Sequence, residues 1–189
     1  MVTSLDLIRA ECDLCDKCAL CQTRTNLVFG VGNENASLMF VGEAPGEQED
    51  KTGIPFVGPA GKLFDKYLSV VGIDRQEVYI ANILKCRPPH NRDPEQNEQE
   101  ACIGWLRDQV RTISPRMIVC LGRIAAMKLI SPDFRITADH GKWITRGQTE
   151  MCAVYHPSAL LRDESKRDDM LRDMMSIAEK LRLYKEQQK

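Results

Sequence analysis

The chain has 189 residues, 43% of them hydrophobic and 28% charged, and its net charge is −1. That length suits one domain with a substantial core, and the near-neutral balance excludes a broadly basic protein that coats nucleic acid through charge alone. No run of about 18 apolar residues occurs, so no membrane span is expected, and the first residues lack a basic stretch followed by an apolar one, so a cytoplasmic location is expected.

In chain order, residues 4–22 are expected to form a helix with Ser4 as its N-cap, ending in a cluster of cysteines. Residues 37–41 (Ser-Leu-Met-Phe-Val) form a short apolar run that stops at Gly42-Glu43-Ala44-Pro45-Gly46, the pattern of a buried strand and a tight loop. Residues 59–71 carry apolar side chains at helical spacing and stop at Gly72. A second strand is expected over 78–84. A helix follows, with Asp93 as N-cap and Pro94 at its first position, running to about Val110. Residues 117–121 are a third buried strand, followed by a helix near 124–130. Residues 134–155 are expected to form short strands, broken by His156-Pro157, and 164–187 to form a charged terminal helix with an apolar stripe.

Strands alternating with helices predict an α/β three-layer sandwich around a mostly parallel central sheet. In such sheets ligands bind beyond the carboxyl ends of the strands. Three segments with unusual composition fall there: the loop after 37–41, the stretch 82–87, and the turn that begins at His156.

Eight cysteines in a reducing compartment point to ligands and buried thiols rather than disulfides. Four of them, Cys15, Cys18, Cys86 and Cys102, are spaced C-x2-C and C-x15-C, a soft donor set for zinc or an iron–sulfur cluster. Cys12 and Cys21 crowd the first pair, and on spacing alone either could replace one of its members. Cys120 and Cys152 fall in apolar strands and are expected to be core thiols.

The glycines and prolines of the loop from Gly42 to Asp50 let backbone approach a ligand, although an acidic turn that caps a helix would have the same composition. Phe56 lies in Gly53-Ile-Pro-Phe-Val-Gly-Pro-Ala-Gly61, where an aromatic ring suits a stacking platform; the plainer reading is an anchor for the loop. Asn82, at the end of a strand, offers an acceptor and two donors to a pyrimidine edge, or caps a loop. His156 opens a rigid turn with Ser158 and an apolar tip at Leu160. Lys85, Arg87, Arg162, Lys166 and Arg167 are candidates for phosphate contacts.

Together these residues resemble the family-4 uracil-DNA glycosylases, the iron–sulfur branch of that superfamily. The resemblance rests on Cys15-x2-Cys18-x-Leu20, Arg24, Phe29-Gly30-x-Gly32, Gly42-Glu43-Ala44-Pro45-Gly46-x2-Glu49-Asp50, Gly53-x-Pro55-Phe56-Val57-Gly58-x-Ala60-Gly61, Asn82-x2-Lys85-Cys86-Arg87-Pro88-Pro89 and His156-Pro157-Ser158, in order over residues 12–163. It implies a monomeric hydrolase that excises uracil from DNA, and one [4Fe-4S] cluster on Cys15, Cys18, Cys86 and Cys102. It further implies base binding by Gly42, Phe56 and Asn82, with Glu49 near C5 of the base. Catalysis would fall to His156 and Glu43, and DNA contacts to Lys85, Ser158, Leu160 and Arg162. No basic insertion follows the first motif, which favours turnover over covalent trapping of the product. Two rival readings use the same cysteines: an electron-transfer or redox-sensing protein, and a zinc-stapled nucleic-acid-binding module.

Overall fold

The computed structural model describes residues 2–187; Met1, Gln188 and Lys189, part of the expected domain, lie outside the described residues. The chain runs α1 (Ser4–Asp13), β1 (Val31–Gly32), β2 (Leu38–Gly42), α2 (Glu47–Thr52), α3 (Pro59–Val70) and β3 (Tyr79–Asn82). It continues through α4 (Gln96–Ile113), β4 (Met117–Leu121), α5 (Arg123–Leu129), α6 (Ile136–Asp139), β5 (Ile144–Arg146), β6 (Thr149–Val154), α7 (Pro157–Arg162) and α8 (Arg167–Glu186).

The strands form one sheet in the order β1-β3-β2-β4-β6-β5. The four central strands are parallel, and the short edge strands β1 and β5 pair antiparallel. Period-two alternation divides each central strand between two cores. Met39, Val41, Ile118, Cys120, Met151 and Ala153 face α1, α4 and α5, packed with Leu5, Cys12, Leu106 and Ala125. Leu38, Phe40, Met117, Val119, Cys152 and Val154 face α3, α7 and α8, packed with Phe64, Leu68, Leu160, Met170, Met174 and Ile177. The sheet is covered on both faces, which is why its strands are continuous apolar runs. The result is the expected α/β sandwich of three layers. Among the described residues no helix is long and apolar enough to cross a membrane.

Several boundaries differ from expectation. The first helix ends at Asp13 rather than reaching 22, and its N-cap is Thr3, not Ser4: Thr3 and Asp6 exchange side-chain and backbone hydrogen bonds as a capping box. Cys18 is extended (φ −151°, ψ 164°) before a separate 3-10 turn, Ala19–Gln22, and this break brings the C-x2-C pair beside α4. The helix expected from Asp93 begins at Gln96 with Glu95 as cap. Glu98 closes that cap and pairs with Arg92 at 2.6 Å, whereas Asp93 is drawn to Arg123 at 2.9 Å. Residues 134–155 contain α6 before the hairpin of β5 and β6.

Beyond β3 the chain stays zipped to the neighbouring loop. Ile83 N–H donates to Gly42 O at 3.0 Å and Leu84 N–H to Glu43 O at 3.1 Å. The loops after β2 and β3 are thereby one rigid wall at the carboxyl edge of the sheet.

Candidate active site and metal centre

A cleft of about 720 Å³ opens at the carboxyl ends of β2, β3 and β6, and its walls include Glu43, Glu49, Phe56, Asn82, His156, Ser158 and Arg162. Three separated stretches therefore meet at one hollow, as the sequence pattern led us to expect.

Asn82 is 2% exposed, and its Oδ1 is buried with no hydrogen-bond partner. A buried, unpaired acceptor is costly unless a ligand satisfies it. Gly42 makes room for it: a Cβ on Gly42 would lie 2.4 Å from Asn82 Oδ1 and 2.7 Å from Phe56 Cζ.

Phe56 has φ 55°, a strained backbone for a bulky residue, which costs about 1–3 kcal/mol. Three contacts impose it. Arg75 donates to Pro55 O at 2.8 Å and to Phe56 O at 3.3 Å. Glu49 Oε1 accepts the N–H groups of Val57 and Gly58 at 2.9 and 2.8 Å, while its Oε2 accepts that of Gly46 at 3.1 Å. Gly61 lies so close that a Cβ would strike Phe56 O. The ring packs on Phe64 at 5.6 Å and faces His156 at 5.7 Å, so Phe56 is both a core anchor and a cleft wall. The carboxylate of Glu49 is committed to three main-chain donors, so it acts first as the clasp of the Phe56 loop.

His156 is the N-cap of α7. Its Nδ1 accepts the backbone N–H of Ser158 at 3.1 Å and lies 2.7 Å from Ser158 Oγ. Because a backbone N–H only donates, Nδ1 is unprotonated and the ring proton sits on Nε2. Burial, followed by the charge of Arg162, pushes the imidazolium pKa down to about 4, so the ring is neutral at neutral pH and a donor at Nε2. Glu43 is half-buried. Burial, followed by repulsion from Asp93, pushes its carboxyl up to about 7 against the pull of Arg123 and Arg162.

Two expected DNA contacts are corrected. Lys85 is 1% exposed and its ammonium is bonded inside the protein, so it does not reach a phosphate. Leu160 is wholly buried among the residues that α3 and α8 contribute to the core; Leu161, one step around α7, is the exposed side chain at the cleft. Ser158 spends its N–H on His156, with its hydroxyl held against the same ring. Arg87, Lys166 and Arg167 are engaged by Asn91, Asp163 and Glu164. Arg162 is exposed at the cleft rim.

On the other face of the sheet, Cys15, Cys18, Cys86 and Cys102 line a second pocket with Cys21, Arg24 and Trp105. Three of the four sulfurs receive N–H donors at 3.3 Å: Cys15 from Trp105 Nε1, Cys86 from Arg24 Nη1, and Cys102 from the backbone of Lys85. Among the described residues no three His, Cys, Asp or Glu side chains are close enough to hold a single ion; the thiols line one pocket without converging on a point. Soft sulfur donors, N–H groups aimed at them, and Lys17, Arg24 and Lys85 around them fit an anionic iron–sulfur cluster. Cys12 is fully buried outside this lining, and burial pushes its thiol up to about 12. Cys120 and Cys152 are core thiols, as expected. Sequence reasoning gave no part to Arg75, Trp105 or Leu161, and named Gly61 only as a member of the motif around Phe56. Trp105 stands three residues after Cys102, one helical turn away, and that spacing was its only signal.

The sequence model of the uracil DNA glycosylase superfamily matches residues 29–179. The type-4 uracil-DNA glycosylase of Archaeoglobus fulgidus is 46% identical over 93% of this chain and 92% of its own length. That of Sulfurisphaera tokodaii is 43% identical over 93% and 84%, and that of Thermotoga maritima 40% identical over 95% and 94%. A type-5 enzyme of Pyrobaculum aerophilum is more distant, at 34% over 68% of this chain and 64% of its own. With similarity of this degree over more than nine-tenths of its length, the chain belongs to the uracil DNA glycosylase superfamily, in its type-4 branch.

Proposed function

We propose that this protein hydrolyses the N-glycosidic bond of deoxyuridine in DNA, releasing uracil and leaving an abasic site for base excision repair. The observation that carries the reading is the unpartnered Asn82 Oδ1, buried at the cleft between Phe56 and His156. The glycosidic bond cannot be reached inside a stack, so the nucleotide turns out into the cleft. Phe56 stacks on the everted ring. Asn82 Oδ1 accepts uracil N3–H, and its Nδ2 donates to O4. Cytosine presents an amine and a bare N3 at those places, a polar mismatch worth a factor of about 10⁴ in discrimination. Glu49 and Arg75 hold the Phe56 loop where the C5 edge of the base would pass, and a thymine methyl would meet that loop.

As the bond breaks, negative charge develops on uracil O2, and the Nε2–H of neutral His156 donates to it. The sugar acquires oxocarbenium character and is attacked by water. Glu43 orients that water, and its ionised form accepts the proton. Leu161 fills the gap left in the duplex and Arg162 contacts a phosphate. Cys15, Cys18, Cys86 and Cys102 would hold one [4Fe-4S] cluster. Its contribution is a staple between the N-terminal segment, the loop after β3 and α4. We infer one catalytic domain over residues 1–189, acting as a monomer on single- or double-stranded DNA inside the cell, where free thiols persist.

A uracil-release assay on both kinds of DNA tests the reading. Asn82→Ala is expected to cut excision to a small residual rate while the visible absorption of the cluster remains, and full retained activity would remove Asn82 from base recognition. Asn82→Asp is expected to shift preference toward cytosine.

A further inference from the structure

Lys85 stands between the two sites. It precedes the cluster ligand Cys86, and its backbone N–H points at Cys102 Sγ at 3.3 Å. Its side chain is 1% exposed, yet among the described residues it forms no salt bridge. Nζ donates instead to Asn82 O at 2.9 Å and to Gln109 Oε1 at 2.6 Å. Gln109 is itself fully buried, two turns along α4 from Cys102, and its Nε2 donates to Phe29 O at 2.8 Å and Tyr79 Oη at 3.2 Å.

Burying an ammonium is costly, and the neighbouring Cys102 and Cys12 sulfurs offset that cost only in part, so an apolar side chain of the same length would fill this core at less expense. Such a network is expected where it fixes one arrangement of the chain. The atom fixed here is the carbonyl of Asn82, whose side chain carries the unpaired Oδ1 into the cleft.

We propose that Lys85 is a positioning residue for base recognition: with Gln109 it clamps the Asn82 main chain to the helix that bears Cys102, so one buried network sets both the cluster and the base-reading amide. The proposal rests on the reading of Asn82 given above. Lys85 lies behind the strand end, so it acts on the geometry of the chemical step and not on DNA affinity.

The test is Lys85→Met, which keeps the stem and removes the donors. Iron content and visible absorption verify cluster loading, and single-turnover excision is measured on a uracil oligonucleotide with enzyme in excess. Excision is expected to slow by about ten- to a hundredfold, as for a lost charge-assisted hydrogen bond or a displaced catalytic group. KM for DNA should change little. In an Asn82→Ala background the same substitution should slow the residual reaction no further. Additive losses, or a wild-type rate with the cluster retained, overturn the proposal. Should Lys85→Met fail to fold or to load, the Gln109 pair decides. Gln109→Glu keeps an oxygen for Nζ and should stay well above Gln109→Met in rate; equal losses in both overturn the proposal. A wild-type protein inactive on uracil would sink the functional reading itself, whereas an active wild type with an unaffected Lys85→Met sinks only this one.

Discussion

The Nδ1 of His156 accepts the backbone N–H of Ser158 at 3.1 Å, and that one bond decides where the imidazole proton resides. A ring fixed as the Nε2–H tautomer, and kept neutral by burial down to about pH 4, is a donor throughout the neutral range. Glu43 titrates in the opposite direction, its carboxyl pushed up to about 7. If Glu43 accepts the proton of the attacking water, kcat/KM rises with pH through about 7 and reaches a plateau above it. Glu43→Gln should lower the plateau and abolish that limb, while a His156 limb appears only near pH 4. A pH–rate profile of each variant checks this, and a limb near 7 that survives Glu43→Gln would assign it elsewhere.

The same two groups act on stability with opposite signs. His156 binds its proton less readily when folded than at its ordinary 6.5, so its share of stability falls as pH drops from about 6.5 toward 4. Glu43 holds its proton more tightly when folded, so its burial costs nothing below about 4.5 and the full penalty is present above about 7. Denaturant midpoints between pH 4 and 8 should therefore rise with pH below 6 in a Glu43→Gln variant more steeply than in the unchanged protein, where the two trends oppose.

Gly42 stands directly against two side chains of the cleft wall, Asn82 and Phe56. An alanine there would set its Cβ 2.4 Å from Asn82 Oδ1 and 2.7 Å from Phe56 Cζ. Both side chains sit against rigid neighbours, so both must move. Displacement of a recognition group by about 1 Å costs roughly a hundredfold in rate. Gly42→Ala should fold, keep its cluster and lose excision by about that factor. An unchanged rate would show that neither group needs its present place.

What the sequence made legible follows from how local each signal is. Asn82 and His156 stand at strand ends and Phe56 in a Gly/Pro-rich loop between two helices, each marked by Gly, Pro or the end of an apolar run, and those marks survive in one dimension. The cysteine spacing is legible for the same reason. Lys85 was misplaced because its charge is visible but its direction is not: the hydrogen bonds from Ile83 and Leu84 to the β2 loop keep the chain in the sheet plane and send the next side chain inward. Leu160 was misplaced because Leu160-Leu161 is symmetric in composition, and only the phase of α7 against α3 and α8 separates buried from exposed. The break of the first helix at Asp13 arises from the turn that brings Cys15 and Cys18 beside α4, a long-range demand that no helix propensity encodes.

The Leu160 correction has a direct consequence. Leu160→Ala removes a fully buried side chain and should cost about 2–5 kcal/mol of stability, with activity following the folded fraction. Leu161→Ala removes a side chain that is 47% exposed, so stability should stay within about 0.5 kcal/mol. Its effect should fall on double-stranded substrate, where a gap in the stack must be filled, and spare single strands. Equal effects on both substrates would deny Leu161 a wedge role.

The metal centre makes the last prediction. Cys21 lines the same pocket as the four proposed ligands, but none of the three N–H···S bonds reaches it. Cys21→Ser should therefore retain iron and colour, whereas Cys86→Ser should lose both and loosen the loop that follows Asn82. Trp105→Phe tests the role of hydrogen bonding, since it keeps an aromatic ring in place, smaller than the indole, and deletes the N–H donated to Cys15 Sγ at 3.3 Å. Donors to sulfur stabilise the more negative, reduced state, so their removal lowers the reduction potential. A redox titration of Trp105→Phe should give a lower midpoint with iron content unchanged and uracil release unaffected. A shift in excision rate together with potential would instead tie the cluster's electronic state to the chemistry in the cleft, and a zinc-loaded, colourless protein from anaerobic purification would remove the iron–sulfur assignment altogether.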